Sequence, residues 1–193
     1  MLRVYGLTYD HTTNYGSCFQ AYALQTAIES MTIQGEHPSY FLIPILTFRD
    51  LPISVNFNLL RLVKNKIKRL FFFEQRKKFI PFEKKFMKYA DCHQMKDLPF
   101  LNETADAFVC GSDVIWRPDL NNRLGIYFLD FATKYKFSYA ASFGKTELDK
   151  DYIAFAADNL ISFNSISNFK IIIALFGLFK YNYITDILIF THL

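Results

Sequence analysis

Residues 2–31 read LRVYGLTYDHTTNYGSCFQAYALQTAIESM, and two different periods meet inside this segment. Leu2 to Tyr9 alternates weakly between apolar and polar positions, the period of a strand. His11, Thr12, Thr13, Asn14, Tyr15 and Gly16 then form a polar stretch with a glycine, suited to a strand-to-helix turn. Cys18, Ala21, Leu24, Ile28 and Met31 recur at helical spacing. Ser17 with Gln20 three residues later fits a capping box, and Gly35 is placed to end the helix. The segment is read as a βα unit.

Working outward, the same alternation of elements continues. A second strand is expected near Glu36 to Ile43, and a third at Asp106 to Cys110, followed at once by a turn of Gly111, Ser112 and Asp113. Lys136 to Phe143 alternates, placing Phe137, Tyr139, Ala141 and Phe143 on one face. Asp149 to Phe163 reads as a helix with Tyr152, Phe155, Ala156 and Leu160 on one side. Strands alternating with helices imply an α/β fold with a Rossmann-like, mostly parallel sheet. In such sheets the ligand crevice lies outside the carboxyl ends of the strands, so the polar turns after the first and the Cys110 strands are the places to search.

The composition is compatible with that reading. The chain has 193 residues, of which 51% are hydrophobic and 18% aromatic, with only 7 Gly and 6 Pro, which excludes collagen-like, low-complexity and disordered classes. Cys18, Cys92 and Cys110 are odd in number and widely spaced, so reduced core thiols are expected rather than a disulfide framework or a zinc site. The segment Met1 to Asp10 has no long apolar run or small-residue cleavage site and reads as a core strand; the expected location is the cytoplasm.

Charge is uneven. Between Arg61 and Lys88 there are 11 basic and 2 acidic residues, while the rest of the chain carries a net charge of −5. Apolar residues recur through this basic block at three- and four-residue intervals, with a break near Pro81, so it reads as amphipathic helical structure. A solvated helix face is the plain reading; the alternatives are an acidic glycan or the inner, anionic face of a membrane, and no recognition motif points to nucleic acid. From Asn168 onward, Ile, Phe, Leu, Tyr, Asn and Lys make up 20 of 26 residues. The readings of this tail are a membrane span, a buried strand pair, or a foreign end produced by truncation or frameshift. Lys180, Asn182 and Asp186 would lie inside the span.

Four motifs carry a resemblance. Asn14-Tyr15-Gly16-Ser17 followed by Phe19-Gln20-Ala21-Tyr22-Ala23-Leu24-Gln25 is the first. Asp106 to Asp113 continued by Ile115-Trp116 and Pro118 is the second, Tyr127-Phe128-Leu129-Asp130-Phe131 the third, and Ser138 to Gly144 the fourth. In this order they resemble the polysaccharide pyruvyl transferase family over residues 1–167. The resemblance implies the N-terminal half of a glycosyltransferase-B-like pair of Rossmann domains. It also implies transfer of pyruvate, with phosphoenolpyruvate as donor substrate and no cofactor, as a ketal onto a sugar of a capsule, exopolysaccharide or cell-wall glycan. The acceptor would be a sugar or a lipid-linked glycan. The chain departs from the family pattern at Val114, where Gln is common, and at Arg117, where Asn is common. Asn164-Ser165-Ile166-Ser167 resembles the start of a strand that in the family leads to an Arg-Glu pair and a second domain, yet the apolar tail follows. The phosphoenolpyruvate-binding groups of the family lie largely in that further domain. A non-catalytic remnant, an acceptor-binding module, and a nucleotide-sugar glycosyltransferase of the same architecture are the alternatives.

The candidate site residues follow from the two turns. Asp113 is a candidate base for a sugar hydroxyl or a cap of its own turn. His11 is a candidate for proton transfer or an ordinary surface histidine. Asn14 orients a sugar or closes the turn, and Tyr15 stacks on a sugar ring or packs in the core. Gly16 and Ser17 present amides at a helix N-terminus, for an anion or for the capping box. Gly111 serves backbone conformation or close ligand approach, Ser112 is a structural neighbour, and Trp116 lines the cleft or is buried under the sheet. His37, His93 and His192 have no patterned partner, so no metal site is expected.

Overall fold

The computed structural model of the chain describes residues 1–9, 14–45, 74–111, 114–118, 124–145 and 147–167. Five strands, β1 (Arg3–Leu7), β2 (Ser39–Leu42), β3 (Ala107–Gly111), β4 (Tyr135–Tyr139) and β5 (Ser165–Ser167), form one sheet in the order β2-β1-β3-β4-β5. Each neighbouring pair runs parallel, with Leu7 opposite Cys110 and Gly111 opposite Tyr139. Parallel strands buried on both faces need apolar residues at successive positions, and all five residues of β3 are buried. The α/β class expected from sequence is what the chain adopts.

Helices cover both faces. The helix α1 (Tyr15–Ser30) packs Cys18, Ala21, Leu24 and Ile28 against Val4, Tyr40, Leu42, Ala107, Val109 and Phe137, together with Phe79 and Met87, which flank the short helix α2 (Ile80–Phe86). The opposite face carries Tyr5, Leu7, Phe108 and Cys110. These pack under a 3₁₀ segment at Met95–Glu103, the short helix α3 (Leu124–Tyr127) and the helix α4 (Lys150–Leu160). Gly6 lets the sheet accept this arrangement, because a Cβ there would overlap the Tyr40 ring. The three cysteines are free and buried, and burial pushes the Cys110 thiol above its ordinary range.

Several boundaries differ from the sequence expectation. α1 starts at Tyr15 rather than after Ser17, because Asn14 takes the N-cap: its Oδ1 accepts from Gly16 N at 2.8 Å. The helix ends at Ser30, and Gly35 instead occupies a tight turn at φ +81° between the bridged residues Ile33 and Glu36. Pro81 stands in the first turn of α2, where its missing N–H is no loss. β4 stops at Tyr139, since Ala140 adopts φ +52° and redirects the chain. The alternation past that point is therefore not one face of a strand: Phe137 packs on the α1 side, whereas Ala141 and Phe143 cross to the other cluster. Tyr139, expected on the apolar face, is 56% exposed.

α4 begins at its cap Asp149, whose Oδ1 accepts from Tyr152 N, and Tyr152, Ala156 and Leu160 face inward. The strand anticipated at Asn164 to Ser167 is present as β5, at the sheet edge. Residues 61–73 of the basic block and the apolar tail from 168 lie outside the described residues. Among those described, no helix is long and apolar enough to cross a membrane.

Candidate functional site

With β1 hydrogen-bonded to both β2 and β3, the strand order reverses between β1 and β3. The helix after β1 packs on one side of the sheet and the elements after β3 on the other, the topology in which a ligand crevice is expected outside the carboxyl ends of these two strands. β1 ends at Leu7, and β3 ends at Gly111, one residue past Cys110, the partner of Leu7. Parallel registry thus brings together two segments about a hundred residues apart in the chain. The end of β4 joins them, since Tyr139 lies opposite Gly111.

Asn14, Tyr15, Gly16 and Ser17 form the entrance of α1 at this edge. Asn14 is exposed and extended at φ −102°, ψ 116°, and its Oδ1 is committed to the cap. Gly16 N bonds that side chain and Cys18 N bonds the Asn14 carbonyl at 3.1 Å, so two of the first-turn amides serve the helix itself. Tyr15 is 59% exposed and rests on Phe79 with ring centroids 4.6 Å apart. Ser17 stands inside the first turn and not at its cap. Replacing Asn14 with alanine is expected to cost about 1 kcal/mol of stability, with serine restoring most of it, because the cap needs only a short acceptor side chain. Chemical denaturation of the three proteins measures this.

Gly111 is buried, and a Cβ on it would sit 3.0 Å from both Leu24 Cδ2 and the Tyr139 carbonyl. Its small size lets α1 and the end of β4 close over the end of β3, and its φ is not positive. Trp116 is fully buried. Its Nε1 donates to the Tyr127 carbonyl at 2.9 Å, its ring stacks on Phe128, and its backbone N donates to the Ser142 carbonyl. It is a pin beneath the rim, with no surface facing the crevice. Gly144, at φ +63°, lies so close to Val114 that a side chain there would collide. The second, third and fourth motifs are thereby locked to one another. Asp113, Ser112 and His11 lie outside the described residues.

Two further rim features lie inside the fourth motif but are not among the candidate site residues read from the sequence. Tyr139 presents an exposed ring at the carboxyl end of β4, on the sheet face it shares with Phe137. Ala140, next to it, holds a left-handed backbone without being glycine, a conformation that costs on the order of 1 kcal/mol and clusters at ligand sites. Its identity carries no sequence signal, whereas Tyr139 lay in an alternation that pointed it inward. Tyr9, at the exit of β1, reaches across to the Val114 carbonyl at 3.5 Å. The histidines described lie elsewhere: His37 bonds the Met31 carbonyl and His93 pairs with Asp91. Among the described residues no group of His, Cys, Asp and Glu is placed to hold a metal ion.

Comparison with family models, with characterised proteins and with solved structures returned no match for this chain.

Proposed function

We propose that the chain is the N-terminal, acceptor-binding lobe of a polysaccharide pyruvyl transferase of glycosyltransferase-B-like design. In this reading a sugar of a capsule, exopolysaccharide or cell-wall glycan, free or lipid-linked, occupies the crevice between β1 and β3, and phosphoenolpyruvate is the donor. What supports it above all is the convergence of three of the four resembling motifs at one sheet edge: the entrance of α1, the end of β3, and the end of β4. A sugar is bound by exposed aromatic rings flanking groups that hydrogen-bond hydroxyls, and Tyr15 and Tyr139 are exposed at this rim.

The reaction sets the division of labour. One acceptor hydroxyl adds to the central carbon of the enolpyruvyl group as a proton is delivered to its methylene carbon. A second hydroxyl then displaces phosphate and closes the ketal. Each hydroxyl needs a base, which is the role proposed for Asp113, with His11 as the proton carrier. The phosphate and carboxylate of the donor need several cations in a dry site. The described rim offers Arg117, packed against Gly144, which is why a second lobe is included in the proposal.

Saturation-transfer NMR with capsular and cell-wall oligosaccharides tests the acceptor site. Binding is expected, weakened at least about tenfold in Asp113→Ala if its carboxylate holds a sugar hydroxyl through a charge-assisted hydrogen bond. Phosphate release from phosphoenolpyruvate with the glycan that binds then separates the outcomes. Turnover assigns the whole reaction to this chain, and glycan binding without turnover assigns it the acceptor half. A chain that binds neither glycan nor phosphoenolpyruvate, or that binds a nucleoside diphosphate sugar in their place, overturns the reading.

A further inference from the structure

The face formed by α1 and α2 bears a run of aromatic rings in which Tyr22 and Phe82 rest on the core and Tyr15, Phe19 and Phe86 are exposed. Tyr15 stacks on Phe19 at 6.3 Å, Phe19 meets Phe82 edge-on at 5.5 Å, Phe82 contacts Tyr22 at 5.4 Å and Phe86 at 5.0 Å. Phe19 is 53% exposed and Phe86 39%. An exposed apolar patch of this kind marks an interaction surface. It is also held in place: Gln25 of α1 is buried and donates to the Phe86 carbonyl at 2.9 Å while accepting from Lys88 N at 3.0 Å.

Cations predominate around the rings: residues 74–88 hold six Lys and Arg against two Glu. Lys85 Nζ stands 5.0 Å from the centre of the Phe86 ring, and Lys78 and Lys84 are exposed on the same short stretch of chain. The carboxylates nearby are occupied: Glu83 is buried against Arg76, Glu74 pairs with Lys77, and Glu29 pairs with Lys88. Rings that enter the headgroup boundary, with lysines alongside that reach the lipid phosphates, are how a surface helix binds an anionic bilayer. We propose that this α1–α2 face docks the protein on an anionic phospholipid surface, with Phe19 and Phe86 as the inserted rings and Lys84 and Lys85 as the phosphate contacts. The proposal does not depend on the sugar-site reading. It does have a geometric consequence for it, since Tyr15 stands at both the start of the ring run and the crevice rim, so a docked chain would bring the crevice close to the membrane.

Flotation with phosphatidylcholine vesicles, with and without about a third phosphatidylserine, tests it using the full chain. Binding is expected on the anionic vesicles alone, and at about 0.5 M NaCl it is expected to fall steeply through screening. Lys84→Glu with Lys85→Glu is expected to lower partitioning at least about 25-fold, from about five-fold per lysine. Phe19→Ser with Phe86→Ser is expected to abolish flotation while leaving the fluorescence of buried Trp116 unchanged, which shows that the fold survives. Equal binding to neutral vesicles, or wild-type flotation by either double variant, overturns the proposal. So does a dimer in gel filtration that Phe19→Ser with Phe86→Ser dissociates, which would assign the face to a second copy. Retention on acidic polysaccharide with no vesicle binding would likewise overturn it.

Discussion

Replacing Trp116 with alanine is expected to lower the stability of the fold by about 3–5 kcal/mol, a large share of the 5–15 kcal/mol that domains of this kind possess. The indole is fully buried, stacked on Phe128 at 5.2 Å and 5°, and bordered by Phe143 at 5.7 Å and Phe163 at 6.0 Å. Removing it leaves a cavity among rings that belong to different elements and cannot all collapse into it. Its polar groups tie further segments: Nε1 to Tyr127, backbone N to Ser142, and the backbone carbonyl to the Tyr152 hydroxyl at 2.6 Å. Trp116→Phe retains a ring but leaves the buried Tyr127 carbonyl without that donor, and about 1–3 kcal/mol is expected for it. The midpoint of urea unfolding at unchanged slope is the measurement. A Trp116→Ala shift no larger than that of Phe100→Ala, at a position 65% exposed, would contradict this account.

The second large effect concerns charge. Arg76 and Glu83 form an ion pair with only 8% and 5% of each residue exposed, and Arg76 Nη1 has no hydrogen-bond partner among the described residues. Glu83→Leu strands a guanidinium that cannot discard its charge, and a loss of about 3–5 kcal/mol is expected. Arg76→Met with Glu83→Leu removes both desolvation costs and is expected to fall within about 1 kcal/mol of the parent, or above it. The double-mutant cycle therefore gives a coupling of at least about 2 kcal/mol. Because this pair ties α2 to the segment before it, while Gln25 holds the end of α2 on α1, Glu83→Leu should also speed amide exchange in α2 more than in β3. Equal costs for the single and the double variant would show that packing, and not the buried charge, sets the penalty.

Much of this architecture is legible residue by residue. The weak alternation over Leu2 to Tyr9 and the segment Asp106 to Cys110 ahead of a glycine turn announce strands, and the spacing of Cys18, Ala21, Leu24 and Ile28 announces the inner face of α1. Both signals are set by local periodicity, which is why they can be read without coordinates. Boundaries were less legible. Asn14 and Ser17 are both good caps, and the contact of the Tyr15 ring with Phe79, far away in the chain, accompanies the choice of Asn14. The turn at Ala140 has no glycine to mark it, so an alternation that looked like one strand in fact crosses between two cores.

The amino-acid order by itself determined the α/β class, the approximate positions of β1 to β4, the burial of the cysteines and the unevenness of charge, since these depend on composition and on periods of two and 3.6 residues, whereas β5 was expected only through the resemblance. Only the folded chain decided which strand ends are neighbours and which rings share a surface. β1 lies between β2 and β3 because of pairing across about a hundred residues, and Phe19 meets Phe82 through the docking of two helices, relations that no local pattern encodes.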